Sequence, residues 1–133
     1  MPSERIERLR AGIEEFNRTG AIPTELYSPD FELHQSSSIV GTAGLFRGPG
    51  ASQASLDELS EAFEDMTFVP EGFHEAPGGE IVVLIHTTGR GRASGLELDN
   101  HIAWVFTFRD GKVARLVVYE EQADALAAVG LSD

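Results

Sequence analysis

Hydrophobic and polar positions change their spacing several times along the chain, and each change marks an element. The clearest run lies between Leu96 and Leu131. Ile102, Trp104, Phe106 and Phe108 alternate with Ala103, Val105, Thr107 and Arg109, the period of a strand with two unlike faces. Asp110-Gly111 follows, a pair suited to the positive φ angles of a two-residue hairpin. Val113 to Tyr119 is β-branched enough for a central strand. From Glu120 the spacing becomes helical: Ala123, Leu126 and Ala127, then Gly130-Leu131, predict a short helix with a glycine stop.

Ile6, Leu9, Ile13 and Phe16 recur at helical spacing near the start, with Ser3 as N-cap and Gly20 after the last turn. Pro23 opens a second, short helix, PTELY, and Ser28-Pro29-Asp30 reads as a turn. Phe31 to Ser36 is a short strand. Residues 37–50 hold four glycines and predict a loop or a frayed edge strand. The longest helix is expected over Ala51 to Met66, with Leu56, Leu59, Phe63 and Met66 as its stripe. Phe68 to Phe73 starts a strand, Ala76-Pro77-Gly78-Gly79 is a hairpin turn, and Ile81 to Thr88 is a strongly β-branched strand. Gly89 to Gly95 then leads into the organising strand.

Three single-striped helices ahead of a strand meander predict one α+β domain over residues 1–133. Its sheet should be antiparallel, strongly bent and cone-shaped, packed on the three helices, with a ligand pocket between long helix and sheet. Composition narrows the function. A formal net charge of −12 argues against nucleic acid as a partner. The N-terminus carries mixed charge without an apolar run, so no membrane partner is expected and the cytoplasm is the default location. With no cysteine, thiol chemistry is excluded. The histidines at 34, 74, 86 and 101 lack HxH or HxxxH spacing, so the reading assigns no metal and no cofactor.

YSPDFELH after two helices, FRG before the long helix, GRGRASG, and VFTFRDGKVARLVVYEEQADALAAVGL together resemble the SnoaL-like branch of the nuclear-transport-factor-two-like superfamily. The resemblance implies the cone-shaped fold and a homodimer. It also implies chemistry on hydrophobic molecules, as in polyketide cyclases, ketosteroid isomerase and limonene epoxide hydrolase. The isomerase site does not carry over. Its general-base aspartate falls at Gln35, its tyrosine near Gly12 and its protonated aspartate at Trp104; the hydrolase aspartate falls near Val118.

The candidate site follows from parity. Asn100 and Trp104 share a face, Gln35 takes a pocket position through the resemblance, Phe63 sits on the long helix, and Glu120 follows Leu116 and Val118 two by two. All five are expected around one cavity closed by the terminal helix. Asn100 then needs a partner, which is a ligand, a side chain or water. Trp104 is either pocket wall or plain core. His86 and Glu120 are the candidate catalytic groups. His86 is an acid–base residue if it points inward, and pairs with Glu97, Asp99 or His101 if it points outward. Glu120 is either a buried carboxyl or the exposed first turn of the helix. Tyr27 and Tyr119 read as packing residues with wet hydroxyls. Val105, Thr107, Val113, Arg115, Val117 and Tyr119 make the outer sheet face the dimer surface. The expected function is binding of a small hydrophobic, polyketide-like compound. Cofactor-free acid–base catalysis (cyclisation, isomerisation or hydrolysis) is its enzymatic form, and a non-catalytic binding or interaction domain is the rival.

Overall fold

The computed structural model describes residues 4–35 and 44–131. The expected N-cap Ser3 and part of the glycine-rich segment lie outside these residues. Helix α1 (Glu4–Thr19) buries Leu9 and Ile13, with Ile6 and Phe16 beside them, so the sequence stripe faces the core. Gly20 ends it at φ 79°. Asn17 Nδ2 donates to Phe68 O at 2.8 Å and fastens the helix to the sheet.

The expected second helix is only a 3-10 turn, Thr24–Leu26, and strand β1 (Tyr27–Gln35) begins at once. Ser28-Pro29-Asp30 is therefore not a turn between elements. It is a bulge inside the strand: Tyr27 pairs with Val113, yet the next pair is Glu32 with Arg115. Proline has no N–H for a ladder, and a bulge removes the need for one. Edge strand β2 (Gly44–Arg47) pairs with β1, and helix α2 (Ala51–Ala62) follows.

Helix α2 is shorter than predicted. At Phe63 the backbone is extended (φ −129°, ψ 147°), and strand β3 (Phe63–Glu75) starts there. FEDMTF fits a helical stripe and an alternating strand equally well, and pairing of Phe63 with Gly91 decides between them. Strands β4 (Ile81–Gly91), β5 (Glu97–Arg109) and β6 (Lys112–Tyr119) complete the sheet. Asp110 and Gly111 adopt φ 54° and 80°, the hairpin geometry that the sequence predicts.

Strand order is β2-β1-β6-β5-β4-β3. The four strands after α2 run antiparallel as expected, but β1 joins β6 in parallel, so the sheet is mixed; it is also not closed. Its inner face packs Phe31, Leu33, Ile81, Val83, Ile85, Phe106 and Leu116 against α1 and α2.

Helix α3 (Gln122–Ala128) lies on the other face. Ala125, fully buried, sits against Val82, Ala103 and Val105, with Leu126, Val129 and Leu131 around it. Gly130 at φ 80° and the bond from Leu131 N to Leu126 O (2.8 Å) form a Schellman stop. The expectation that α3 closes the pocket is thus corrected: its apolar side covers the outer face. It also hides part of the surface assigned to a dimer. Val105 is 5% exposed. Val113 turns inward because a bulge between Thr107 and Phe108 reverses the parity of β6. No described helix is long and apolar enough to cross a membrane.

Candidate functional site

A cavity of about 120 Å³ lies between α1, α2 and the inner face of the sheet. Its walls are mostly apolar side chains: Leu9, Ile13 and Phe16 from α1, Leu56 and Leu59 from α2, and Ile102, Leu116 and Val118 from the strands. Aromatic rings form one side. Phe16 and Phe68 have centroids 5.7 Å apart, Phe68 and Trp104 5.5 Å, and Trp104 meets Phe106 edge-on at 6.3 Å. Tilted contacts of this kind hold rings in place and preform a flat-sided slot.

The mixed topology positions the polar groups. Parallel pairing sets Gln35 beside Val118, and antiparallel pairing sets Val118 beside Trp104. Gln35 and Trp104 thus flank one β6 residue, and Glu120 follows two positions on. Gln35, Trp104 and Glu120 all line the cavity. Glu120 is exposed, at the end of the wall. Asn100 lies opposite Thr87 in the β4–β5 ladder, but only Thr87 borders the cavity. Phe63, the first residue of β3, is outside the wall as well, whereas Met66 and Phe68 further along that strand are in it.

Ser52 and Thr87, neither of them a candidate from the sequence, add hydroxyl groups to the wall. Among the described residues Gln35 Oε1 and Thr87 Oγ1 are buried without a hydrogen-bond partner, Ser52 Oγ is buried with only the Tyr27 hydroxyl to serve it, and all three residues line the cavity. An unpaired buried polar atom costs about 1–3 kcal/mol. Gathered around one void, such atoms can pair with the donors and acceptors of a small molecule. Tyr27 joins them. It is 7% exposed, so its hydroxyl is not wet as expected. Burial pushes its phenol above the ordinary value, the Ser52 hydroxyl partly countering, so Tyr27 serves as a neutral group and not as a base. The signal for these residues was present: Ser52 and Ser55 extend the Leu56–Leu59 stripe of α2, and Thr87 continues the parity of Val83 and Ile85.

His86 is on the opposite face of the sheet and does not reach the cavity. Its ring stacks on that of His101, centroids 4.4 Å apart and planes within 5°. His86 Nε2 contacts Asp99 Oδ1 at 2.8 Å, and His101 Nδ1 contacts Glu71 Oε1 at 2.9 Å. That bond raises the pKa of His101; His101 first, then Gln122, lowers that of Glu71. Of the pairings open to His86, the outward one is present.

Residues 7–116 match the family model described as a SnoaL-like domain. No functionally curated protein matches the chain in sequence. Among solved structures, an NTF2-like protein of unknown function from Burkholderia pseudomallei is similar at 19% identity and TM-score 0.75, covering 96% of this chain and 98% of that one. TerC, co-crystallized with polyporic acid, is 20% identical with TM-score 0.73 over 96% and 98% of the two chains. A protein from Catenulispora acidiphila with a ketosteroid isomerase-like fold, in complex with trimethylamine, is 12% identical with TM-score 0.69 over 98% and 95%.

Proposed function

Because the chain belongs to the SnoaL-like domain family, we propose that its cavity binds a small, flat, hydrophobic molecule bearing hydroxyl or carbonyl groups. The observation that carries this reading is the pair of buried, unpartnered atoms Gln35 Oε1 and Thr87 Oγ1, with the Ser52 and Tyr27 hydroxyls, around an otherwise apolar, aromatic-walled void. Apolar walls supply affinity and a few convergent polar atoms supply orientation. Polyketide-like aromatics have that chemistry, and the polyporic acid complex of the similar TerC agrees with it. A homodimer through the outer sheet face belongs to the same reading, with a smaller patch, since α3 covers Val105 and Val113 faces the core.

A second reading, cofactor-free acid–base catalysis, is favoured by one observation. Among the described residues lining the cavity, Glu120 is the one carboxylate. It would take the proton, with Tyr27 or Gln35 steadying the developing charge. His86 has no part in it.

Trp104 is the single tryptophan of the chain and stands in the wall, so its emission reports occupancy directly. Titration with hydroxylated polycyclic aromatics should change that emission saturably. Trp104→Ala, followed by calorimetry, should weaken binding by about 1–3 kcal/mol. No saturable response from any such compound would sink the binding reading. Turnover lost in Glu120→Gln with affinity intact would promote the catalytic one.

A further inference from the structure

The outer face carries a second cluster, remote from the cavity. Glu71, His86 and His101 come from β3, β4 and β5, separate stretches that sequence spacing could not connect. One donor atom from each lies within 4.8 Å of the others. We propose that this cluster is a divalent transition-metal site of the zinc class, with Glu71, His86 and His101 as ligands and Asp99 beside them.

Donor chemistry and backbone both support the assignment. Two imidazoles and a carboxylate form a set suited to zinc, cobalt, nickel or copper, and leave a fourth position for water or Asp99. His86 and His101 are direct cross-strand partners, so the ladder holds their rings side by side.

Glu71 reaches the pair through a bulge. Pro70 pairs with Ile85 and Gly72 with Leu84, leaving Glu71 as the extra residue of β3. Bulges re-aim side chains and recur beside functional sites. Gln122 Nε2, from the start of α3, donates to Glu71 Oε1 at 3.0 Å and to Ile102 O at 3.2 Å. It thereby orients the carboxylate as a supporting group around a metal does.

Bonds of about 2.0–2.1 Å to a tetrahedral ion space its donors about 3.4 Å apart. The observed 4.8 Å spread therefore closes by side-chain rotation. These side chains have the freedom: His86 is 34% exposed, His101 55% and Glu71 35%. The net charge of −12 raises cation concentration near the surface.

The test is calorimetric titration of Zn²⁺ into the tag-free full chain after chelator treatment, with Co²⁺ as a spectroscopic substitute. One ion per chain is expected, with visible Co²⁺ bands of tetrahedral intensity. His86→Ala and His101→Ala should each weaken binding by roughly 100-fold, since either removes a third of the protein ligands. Gln122→Ala should weaken it about tenfold as a supporting group. His34→Ala serves as control, because His34 forms a separate pair with Glu32 on β1 at 3.0 Å, and it should change nothing. Metal-free melting of each variant guards against a folding artefact, and His101→Gln is the milder replacement. Absence of Zn²⁺ heat and Co²⁺ bands overturns the proposal. So does binding that survives both histidine variants, or that falls equally with His34→Ala.

Discussion

The two faces of the sheet are built from the same strands and treat polar groups in opposite ways. Inside, Phe31, Leu33, Ile81, Val83 and Ile85 are fully or almost fully buried, and Gln35 Oε1 and Thr87 Oγ1 have no partner among the described residues. Outside, the apolar cluster is small, and the polar groups satisfy one another: His86 with Asp99, His101 with Glu71, Thr67 with Thr88. Leaving Gln35 Oε1 and Thr87 Oγ1 unpaired beside the cavity costs stability there, and Glu80 Oε1, just ahead of β4, is a further buried atom with no partner among the described residues. The sheet thus separates a face with a cavity and unpartnered polar atoms from one whose polar side chains pair with one another.

Replacing core rings should break the contrast most. Phe31 is fully buried and meets Tyr27 at 4.6 Å between centroids. Phe31→Ala should lower unfolding free energy in urea by about 3–5 kcal/mol. Leu84→Ala on the outer face should cost roughly half of that or less, because Leu84 is only partly buried. Equal losses would show that the faces do not differ in their share of the core.

A smaller change should sharpen the contrast. Thr87→Val keeps shape and removes an unpaired hydroxyl, so the empty protein should gain about 1 kcal/mol while affinity for a hydroxylated ligand falls. A loss of stability would mean that the hydroxyl is satisfied by water.

The smallest effect is a pH dependence. Burial raises the Tyr27 phenol above its ordinary 10.0. Its contribution to stability is therefore complete below that value and is lost as pH rises through the folded-state value. Tyrosinate absorbance from Tyr27 should grow together with the loss of circular dichroism in base. Tyr27→Phe should remove that component. Ionisation of Tyr27 well before unfolding would place its hydroxyl in water.

Local alternation made the second half of the chain legible. The Asp110-Gly111 hairpin, β4 to β6 and the glycine stop of α3 follow from short-range rules, and parity placed Trp104 and Glu120 on the inner face. The misreadings share a cause, pairing between distant residues. Phe63 is strand because Gly91 is opposite it, and Pro29 is bulge because β6 runs alongside. Glu71 meets His101 through another bulge. The facing of α3 also had no local signal, since Ala125 gains its place only from the small residues of the sheet beneath it.

The parallel pairing of β1 with β6 bears on how the protein is made. Gln35 and Val118 come from opposite ends of the chain, so the cavity wall cannot close while the chain is still emerging from the ribosome. Until β6 arrives, β1 has only the short β2 for a neighbour, and its other edge stays open. Long-range pairings of this kind are slow to form and leave nascent strands exposed. The cavity wall is therefore among the last parts of the molecule to be assembled, and a chain released short of Val118 would lack it.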